Sequence, residues 1–186
     1  MNLADYGFVF NDKYIGGRKM PKHGYLIRPG VAMALTKARE ILPKGCNLKV
    51  YDAWRPWHLQ KKAVEHTKKL IIKSHPKWSK HQVDNQLWMM APPMRIVPRL
   101  NSHRYAGAVD LTIVDAEGTE LAMGVPVDYV TGPEARLLFY ELKDGLTNIE
   151  KKLRKNRRLL ITAMEYGGFH PYLPEFWHWG YDLDLM

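Results

Sequence analysis

The chain's 186 residues, 46% of them apolar and 25% charged, have the proportions of one globular domain spanning residues 1–186. No run approaches the roughly 18 consecutive apolar residues of a membrane-spanning helix. The net charge of +9 leaves nucleic acid, an anionic membrane and an anionic cell wall open as partners until the basic residues are placed.

The first part of the chain predicts one helix and one strand after an irregular beginning. Residues 1–30 are rich in glycine, tyrosine and turn residues, and Met1–Tyr6 lacks the basic-then-apolar pattern of a secretory signal. We therefore expect a soluble, cytoplasmic protein. Start and stop signals at Pro29 and Gly45 enclose a helix. The alternation of apolar and polar residues in Asn47–Trp54 predicts a strand.

Cys46 is the only cysteine in the chain. An internal disulfide and a thiolate zinc cluster are therefore excluded. Its position ahead of a strand favours a buried, inert thiol over a nucleophile. Any metal site must be built from histidine, aspartate and glutamate.

Two further helices are predicted before a proline-rich segment. Pro56 can open the first helix, and a shorter helix follows Ser79. The residues in phase along the first helix are Leu59, Ala63, His66 and Leu70. Residues 91–102 contain three prolines and no periodicity, which indicates a loop.

Ala108–Val114 alternates strictly and predicts a second strand. Three aliphatic side chains point one way, while Asp110 and Thr112 point the other way. Asp110 should therefore face a cleft or solvent rather than the main core. A hairpin-type turn signal at residues 115–118 predicts a partner strand over Thr119–Met123.

A long basic helix is predicted over about Leu146–Tyr166, ended by a Gly-Gly pair. Its basic run, Lys151–Arg158, is interleaved with an apolar face at helical spacing. The apolar residues of that face are Ile149, Leu153, Leu160 and Met164. A solvated helix face is favoured over a phosphate-binding surface, and we expect neither nucleic acid nor membrane as a partner. With Phe169–Asp182 strand-like, the elements predict an α+β fold, a small, mostly antiparallel sheet flanked by helices.

Four residues at two distant places in the chain can build a catalytic zinc centre. Such centres have three protein ligands and an open fourth position. His103 and Asp110 lie seven positions apart, so on one straight strand they would face opposite ways, and the small residues between them allow a turn. His178 would come from a separate strand. Glu175, three residues before it, would stand on a loop as the general base that activates water.

Each of these residues also has an ordinary structural interpretation. A histidine among aromatic residues is more often packed than ligating, Glu175 alone could lie on the surface, and Asp110 alone could cap a turn. The joint pattern of the four residues favours the metal site. The other histidines have no comparable partners and are predicted to be non-ligands: His23, His58, His66, His75, His81 and His170.

The same segments resemble the D-alanyl-D-alanine dipeptidases related to vancomycin resistance, zinc enzymes of the M15 metallopeptidase group. His103–Ile113 is similar to their zinc-binding segment, and Glu175–His178 to their Glu-x-Trp-His signature. Tyr51–Pro56 is similar to their arginine-bearing strand end, and Met123–Asp128 to their Met-Gly loop. The resemblance runs in order over about residues 5–181.

The resemblance implies one zinc ion per chain on the three ligands, with Glu175 as the catalytic base. It also implies that Arg55 stabilises the developing oxyanion and that Asp128 receives the ammonium group of a dipeptide. On their own, Arg55 could form a salt bridge to Asp52 and Asp128 could be a turn residue. The family's serine that holds the substrate's amino end corresponds to Asn101, although Ser102 is adjacent.

The chain departs from the family pattern near the substrate. Ala106 precedes Gly107 where the family has the glycine first, and Val125–Val127 replaces the usual hydroxyl and aromatic residues of the Met-Gly loop. The expected activity is hydrolysis of a small dipeptide, D-alanyl-D-alanine first. The alternatives are a related peptidoglycan D,D-carboxypeptidase or endopeptidase and a zinc-stabilised binding module without activity.

Overall fold

The computed structural model describes residues 1–11, 13–14, 18–19, 25–91 and 102–182. These residues form an α+β fold with one mostly antiparallel sheet, as the sequence predicts. The strands are β1 (Val9–Phe10), β2 (Lys13–Tyr14), β3 (Arg18–Lys19), β4 (Asn47–Asp52), β5 (Ala108–Val114), β6 (Phe169–Pro171) and β7 (His178–Tyr181). The helices are α1 (Pro29–Glu40), α2 (Trp57–Ser74), α3 (Lys80–Met90), α4 (Phe139–Leu142) and α5 (Asn148–Tyr166).

Strand β5 is the centre of the main sheet, whose strand order is β1-β4-β5-β7-β6. β1 runs parallel to β4, and the other neighbours are antiparallel. All seven residues of β5 are buried. Side chains that alternate along β5 therefore enter two different environments, an apolar core on one face and the polar site on the other.

The apolar face of the sheet packs against helices α1 and α5. The core there contains Val109, Leu111 and Ile113 of β5 together with the inner faces of both helices. The C-terminal end of α5 approaches α1 so closely that a Cβ on Gly167 would lie 2.7 Å from the carbonyl oxygen of Ala34. Glycine is therefore required at this contact, which fixes α5 against α1.

A β-bulge in β4 changes which residues face the polar side of the sheet. Val50 pairs with Leu111, but Asp52 rather than Tyr51 pairs with Asp110. The extra residue brings Asp52 onto the same face as Asp110, although it is in phase with the core residue Val50. Bulges commonly re-aim a side chain in this way beside active sites.

Three local predictions are wrong. Residues 119–123 form no strand, and their only β-pairing in the described chain is an isolated bridge between Val114 and Glu120. The buried face of α2 is rotated by about one residue from the predicted one and consists of Gln60, Ala63, Thr67 and Ile71. On α5, Ile149 is 74% exposed, whereas Arg157, expected on the solvated face, is buried. The predicted loop at 91–102 falls almost wholly outside the described residues.

Among the described residues, no helix has the combination of length and apolar character that crossing a membrane requires.

Candidate metal centre

Three acidic and basic side chains form a row across the polar face of the sheet. Asp110 of β5 pairs with Asp52 on β4 to one side and with His178 on β7 to the other. Directly opposed residues of antiparallel strands have Cβ atoms about 4.5–5.5 Å apart, so their side chains meet. Asp110 is only 3% exposed, which corrects the expectation that it could face solvent.

His103 reaches this row from a short turn rather than from a strand. It begins a 3-10 helix of one turn, His103–Tyr105. This helix ends at Ala106, whose backbone is left-handed with φ of 54°. Two reciprocal bonds tie the turn to the end of β4. The backbone N–H of Arg55 donates to the carbonyl of His103 at 3.0 Å, and Nδ1 of His103 donates to the carbonyl of Ala53 at 2.7 Å.

The ring of His103 is thereby oriented for ligation. Because a carbonyl oxygen only accepts hydrogen bonds, Nδ1 carries a proton, and Nε2 presents its lone pair when the ring is neutral. Nε2 lies 3.1 Å from Nδ1 of His178 and 3.2 Å from Oδ1 of Asp110. The third distance, between Nδ1 of His178 and Oδ1 of Asp110, is 3.0 Å.

The triangle formed by Nε2 of His103, Nδ1 of His178 and Oδ1 of Asp110 fits a zinc ion. Four-coordinate zinc with bonds of about 2.0–2.1 Å sets neighbouring ligand atoms about 3.3 Å apart, close to all three observed separations. Two imidazoles and one carboxylate are also a donor set that zinc accepts. Three atoms bearing lone pairs at such short range repel one another, and a cation between them removes that repulsion. Burial lowers the pKa of His178, which keeps its ring neutral and able to ligate.

Arg55 borders the triangle and is held on three sides. Its Nε donates to Oδ2 of Asp52 at 2.5 Å, its Nη1 to Oε1 of Gln60 at 3.0 Å, and its Nη2 to Oδ2 of Asp110 at 3.3 Å. Asp110 therefore offers one oxygen to the ligand triangle and the other to Arg55. Arg55 therefore forms the salt bridge to Asp52 and also lies beside the candidate metal ligand Asp110.

Glu175 lies in the loop just before β7 and is 7% exposed. Its Oε2 is 4.0 Å from Nδ1 of His178. Burial raises the pKa of Glu175 well above its usual value, and the negative charges of Asp110 and Asp128 raise it further. A buried carboxyl group whose pKa is raised in this way is a candidate for proton transfer.

Asp128 is a second acid near the cluster and is partly buried. It has a left-handed backbone with φ of 67°, a conformation that aspartate tolerates better than most residues. Burial, together with the charge of Asp110, raises the pKa of Asp128 to about 7. Ser102 precedes the His103 turn, and its carbonyl accepts hydrogen bonds from Tyr105 and Gly107. Asn101 lies outside the described residues.

Sequence reasoning identified one of the two residues that hold Arg55 and missed the other. Asp52, named as a possible salt-bridge partner, is paired with Arg55, and the bulge that brings it to the polar face cannot be inferred from the pattern of one strand. Gln60 is in phase with Ala63 and Thr67 along α2, and that spacing could have identified it as an inward-facing polar residue.

Those predicted non-ligands that lie within the described residues stay away from the triangle. His170 is paired with Asp182 at 3.1 Å near the surface, and Nε2 of His75 is 2.9 Å from the carbonyl of Thr131. The only group of metal-binding side chains found among the described residues is His103, Asp110 and His178.

Comparison with known proteins gives two matches of the same kind. The profile of the D-ala-D-ala dipeptidase family, peptidase family M15, matches residues 5–184. A protein of Synechocystis sp. described as a D-alanyl-D-alanine dipeptidase is 28% identical over 184 residues, covering 88% of this chain and 72% of that protein.

Proposed function

This chain belongs to the D-ala-D-ala dipeptidase family of peptidases, and on that premise we propose that it hydrolyses D-alanyl-D-alanine or a close dipeptide with a free N-terminus. Its cofactor would be one zinc ion on His103, Asp110 and His178. The observation that carries the proposal is the convergence of these three ligand atoms, 3.0–3.2 Å apart, beside a buried glutamate and a buried arginine.

Glu175 would act as the general base. Zinc, when bound, polarises the substrate carbonyl and makes water easier to deprotonate. Glu175 would accept a proton from the attacking water and deliver it to the nitrogen of the leaving amino acid. Without a bound dication, burial and the charges of Asp110 and Asp128 raise the pKa of Glu175, and a nearby dication would lower it toward the ionised form that a base requires.

Arg55 would stabilise the negative charge that develops on the carbonyl oxygen. Its guanidinium is oriented before substrate arrives, since Asp52 and Gln60 fix two of its nitrogens. Donors that need no rearrangement stabilise a transition state more than a substrate, and losing one typically costs about 10²–10³ in kcat. The third contact, with Asp110 at 3.3 Å, is the longest of the three.

Asp128 would bind the substrate's ammonium group, with Ser102 and Asn101 near the same amino end. The carboxylate of Asp128 lies close enough to Asp110 for the two charges to interact, so an ammonium group beside it would relieve repulsion as well as form an ion pair. This preference for a free N-terminus favours a dipeptidase over a carboxypeptidase acting on a blocked peptide.

The central test is turnover of D-alanyl-D-alanine by the zinc-loaded protein, followed as release of free alanine. Glu175→Gln should keep one zinc per chain and lower kcat by about 10²–10⁴, the usual contribution of a general base. Glu165→Gln removes an exposed glutamate on α5 and serves as the matched control. Undiminished turnover in Glu175→Gln would reject Glu175 as the base.

A second assay separates the dipeptidase from its alternatives. The zinc-loaded protein is given D-alanyl-D-alanine, its N-acetyl form and the three other stereoisomers of alanyl-alanine. A lower KM for the free D,D-dipeptide supports the proposal. Preference for the N-acetyl compound would point instead to a carboxypeptidase, and no turnover of any compound to a binding module.

A further inference from the structure

Arg157 is a fully buried cation in the middle of α5 and is not among the residues proposed to act on the substrate. Arg157 is 2% exposed, and it lies in phase with the core residues Leu153 and Leu160. Removing a guanidinium from water is costly unless each of its donors finds a partner. The contacts of Arg157 must therefore compensate for its burial.

The side chain of Arg157 bonds to backbone carbonyls in two separate segments. Nε and Nη2 donate to the carbonyl of Met123 at 2.9 and 2.7 Å. Nη2 also donates to the carbonyl of Glu134 at 2.6 Å, and Nη1 to that of Arg136 at 2.5 Å. Every hydrogen bond that Arg157 makes within the described residues ends on a main-chain oxygen, so the guanidinium fixes backbone rather than neutralising an acid.

Two aromatic rings enclose the guanidinium. Its central carbon lies 4.8 Å from the ring centre of Tyr140 and 4.6 Å from that of Phe176. Phe176 follows Glu175 directly in the chain. Burial lowers the pKa of Arg157 to about 10, which still leaves the side chain charged at neutral pH and able to use all its donors.

The first of the two segments that Arg157 binds is the loop that ends at Asp128. Met123 begins the loop Met123–Asp128, and its neighbour Gly124 has φ of 98°. A Cβ on Gly124 would lie 2.1 Å from the hydroxyl of Tyr140, so this loop is pressed against the same ring that covers Arg157. The conformation of the loop that ends at Asp128 therefore depends on the Arg157–Tyr140 pair.

The second bonded segment supports the loop that carries Glu175. The carbonyl of Ala135, between the two carbonyls that Arg157 binds, accepts the backbone N–H of Phe176 at 2.9 Å. Leu137 donates its backbone N–H to the carbonyl of Leu173 at 2.9 Å. The segment from Glu134 to Leu137 thus holds the loop from Leu173 to Phe176 at both ends.

We infer that Arg157 is a positioning residue that joins the Met123–Asp128 loop to the Leu173–Phe176 loop, and so fixes the ammonium-binding carboxylate relative to the catalytic base. This inference rests on the proposed roles of Asp128 and Glu175. A displacement near 1 Å of a group that positions substrate can cost about 10²-fold in rate, which sets the scale of the expected effect.

Arg157→Lys tests the inference because it keeps the charge but replaces the planar fork of donors with a single ammonium nitrogen, which cannot span the carbonyls of both segments. The matched control is Leu160→Ala, one turn further along the same buried face and without hydrogen bonds to lose. Both are assayed with zinc bound, below their unfolding transitions. We expect Arg157→Lys to lower kcat/KM at least about tenfold, with a rise in KM, while Leu160→Ala retains kcat/KM.

The KM values of two further variants test the same role of Arg157. In an Asp128→Asn background the rise in KM caused by Arg157→Lys should shrink, because the carboxylate that Arg157 positions is absent. If Arg157→Lys does not fold, Tyr140→Leu, which removes one enclosing ring, should shift KM in the same direction by a smaller factor. Equal kinetic effects of Arg157→Lys and Leu160→Ala would overturn the inference.

Hydrogen–deuterium exchange separates this inference from the proposed function. Residues 123–128 and 173–176 should both exchange faster in Arg157→Lys than in Leu160→Ala. Faster exchange in both loops supports the joint role even if the wild-type protein turns over no dipeptide, a result that would reject the proposed function alone. Unchanged exchange in either loop would overturn the inference, whatever the activity.

Discussion

Replacing Ala106 by glycine should stabilise this protein, although most point substitutions destabilise the protein in which they are made. Ala106 ends the turn that begins with His103, and its φ of 54° lies in the left-handed region. Left-handed backbone costs a residue with a Cβ about 1–2 kcal/mol, whereas glycine adopts it freely. The turn therefore holds a strained residue between two candidate metal ligands, His103 and Asp110.

The net effect is the strain released minus the entropy that glycine adds to the unfolded chain. That entropy term is about 0.4–1 kcal/mol. The balance favours Ala106→Gly by about 0–1.6 kcal/mol, with a midpoint of about 0.8 kcal/mol. For a chain of this size, each kcal/mol corresponds to about 2–4 °C in Tm, so we expect a rise of about 1–4 °C.

The assay is thermal unfolding in the presence of a metal chelator, which removes any contribution from zinc binding. Ala122→Gly is the control, since Ala122 is exposed and is not among the residues with positive φ. It should lower Tm through the entropy term alone. If Ala106→Gly lowers Tm as much as Ala122→Gly does, the turn is unstrained and the reasoning is wrong.

Three further predictions concern the site. In zinc-free protein the pKa of Asp128 is raised to about 7 by burial, so the folded state holds a proton that the unfolded state has lost. Stability should therefore fall between about pH 4 and pH 7, and Asp128→Asn should flatten that decline in thermal melts. Zinc at about 100 times its Kd should stabilise the wild-type protein by about 2.7 kcal/mol, and Asp110→Asn should remove most of the zinc-dependent rise in Tm. In Gln60→Leu, Arg55 keeps its charge but loses one hydrogen-bond acceptor that orients it. Steady-state kinetics should therefore show a fall in kcat that is smaller than the about 10²–10³-fold cost of losing an oxyanion donor, with KM little changed.

The sequence predicted that His103, Asp110 and His178 come together, and it predicted less of what surrounds them. The odd spacing of His103 and Asp110 required a turn, and the structure has one, because strand geometry leaves no other way to bring both side chains together. The position of Asp52 depends on a bulge, which follows from pairing between strands and not from the pattern of either strand.

Arg157 illustrates a different reason for failure. Its helical phase with Leu153 and Leu160 was visible in the sequence, but a basic run favours a solvated helix face. The carbonyls that satisfy the guanidinium belong to Met123, Glu134 and Arg136, and no sequence pattern marks a main-chain carbonyl as the partner of a distant side chain. A buried charge satisfied by main-chain oxygens can be recognised only after the chain has folded around it.

The charges at the site also indicate which substrates it should reject. Among the described residues, four carboxylates surround one guanidinium: those of Asp52, Asp110, Asp128 and Glu175 around Arg55. Burying such an excess is unfavourable, and burial with mutual repulsion raises the pKa of both Asp128 and Glu175. A dication and an ammonium group supply the missing positive charge. An N-acetylated dipeptide brings only its own carboxylate, so we expect it to be rejected through KM, and less strongly after Asp128→Asn.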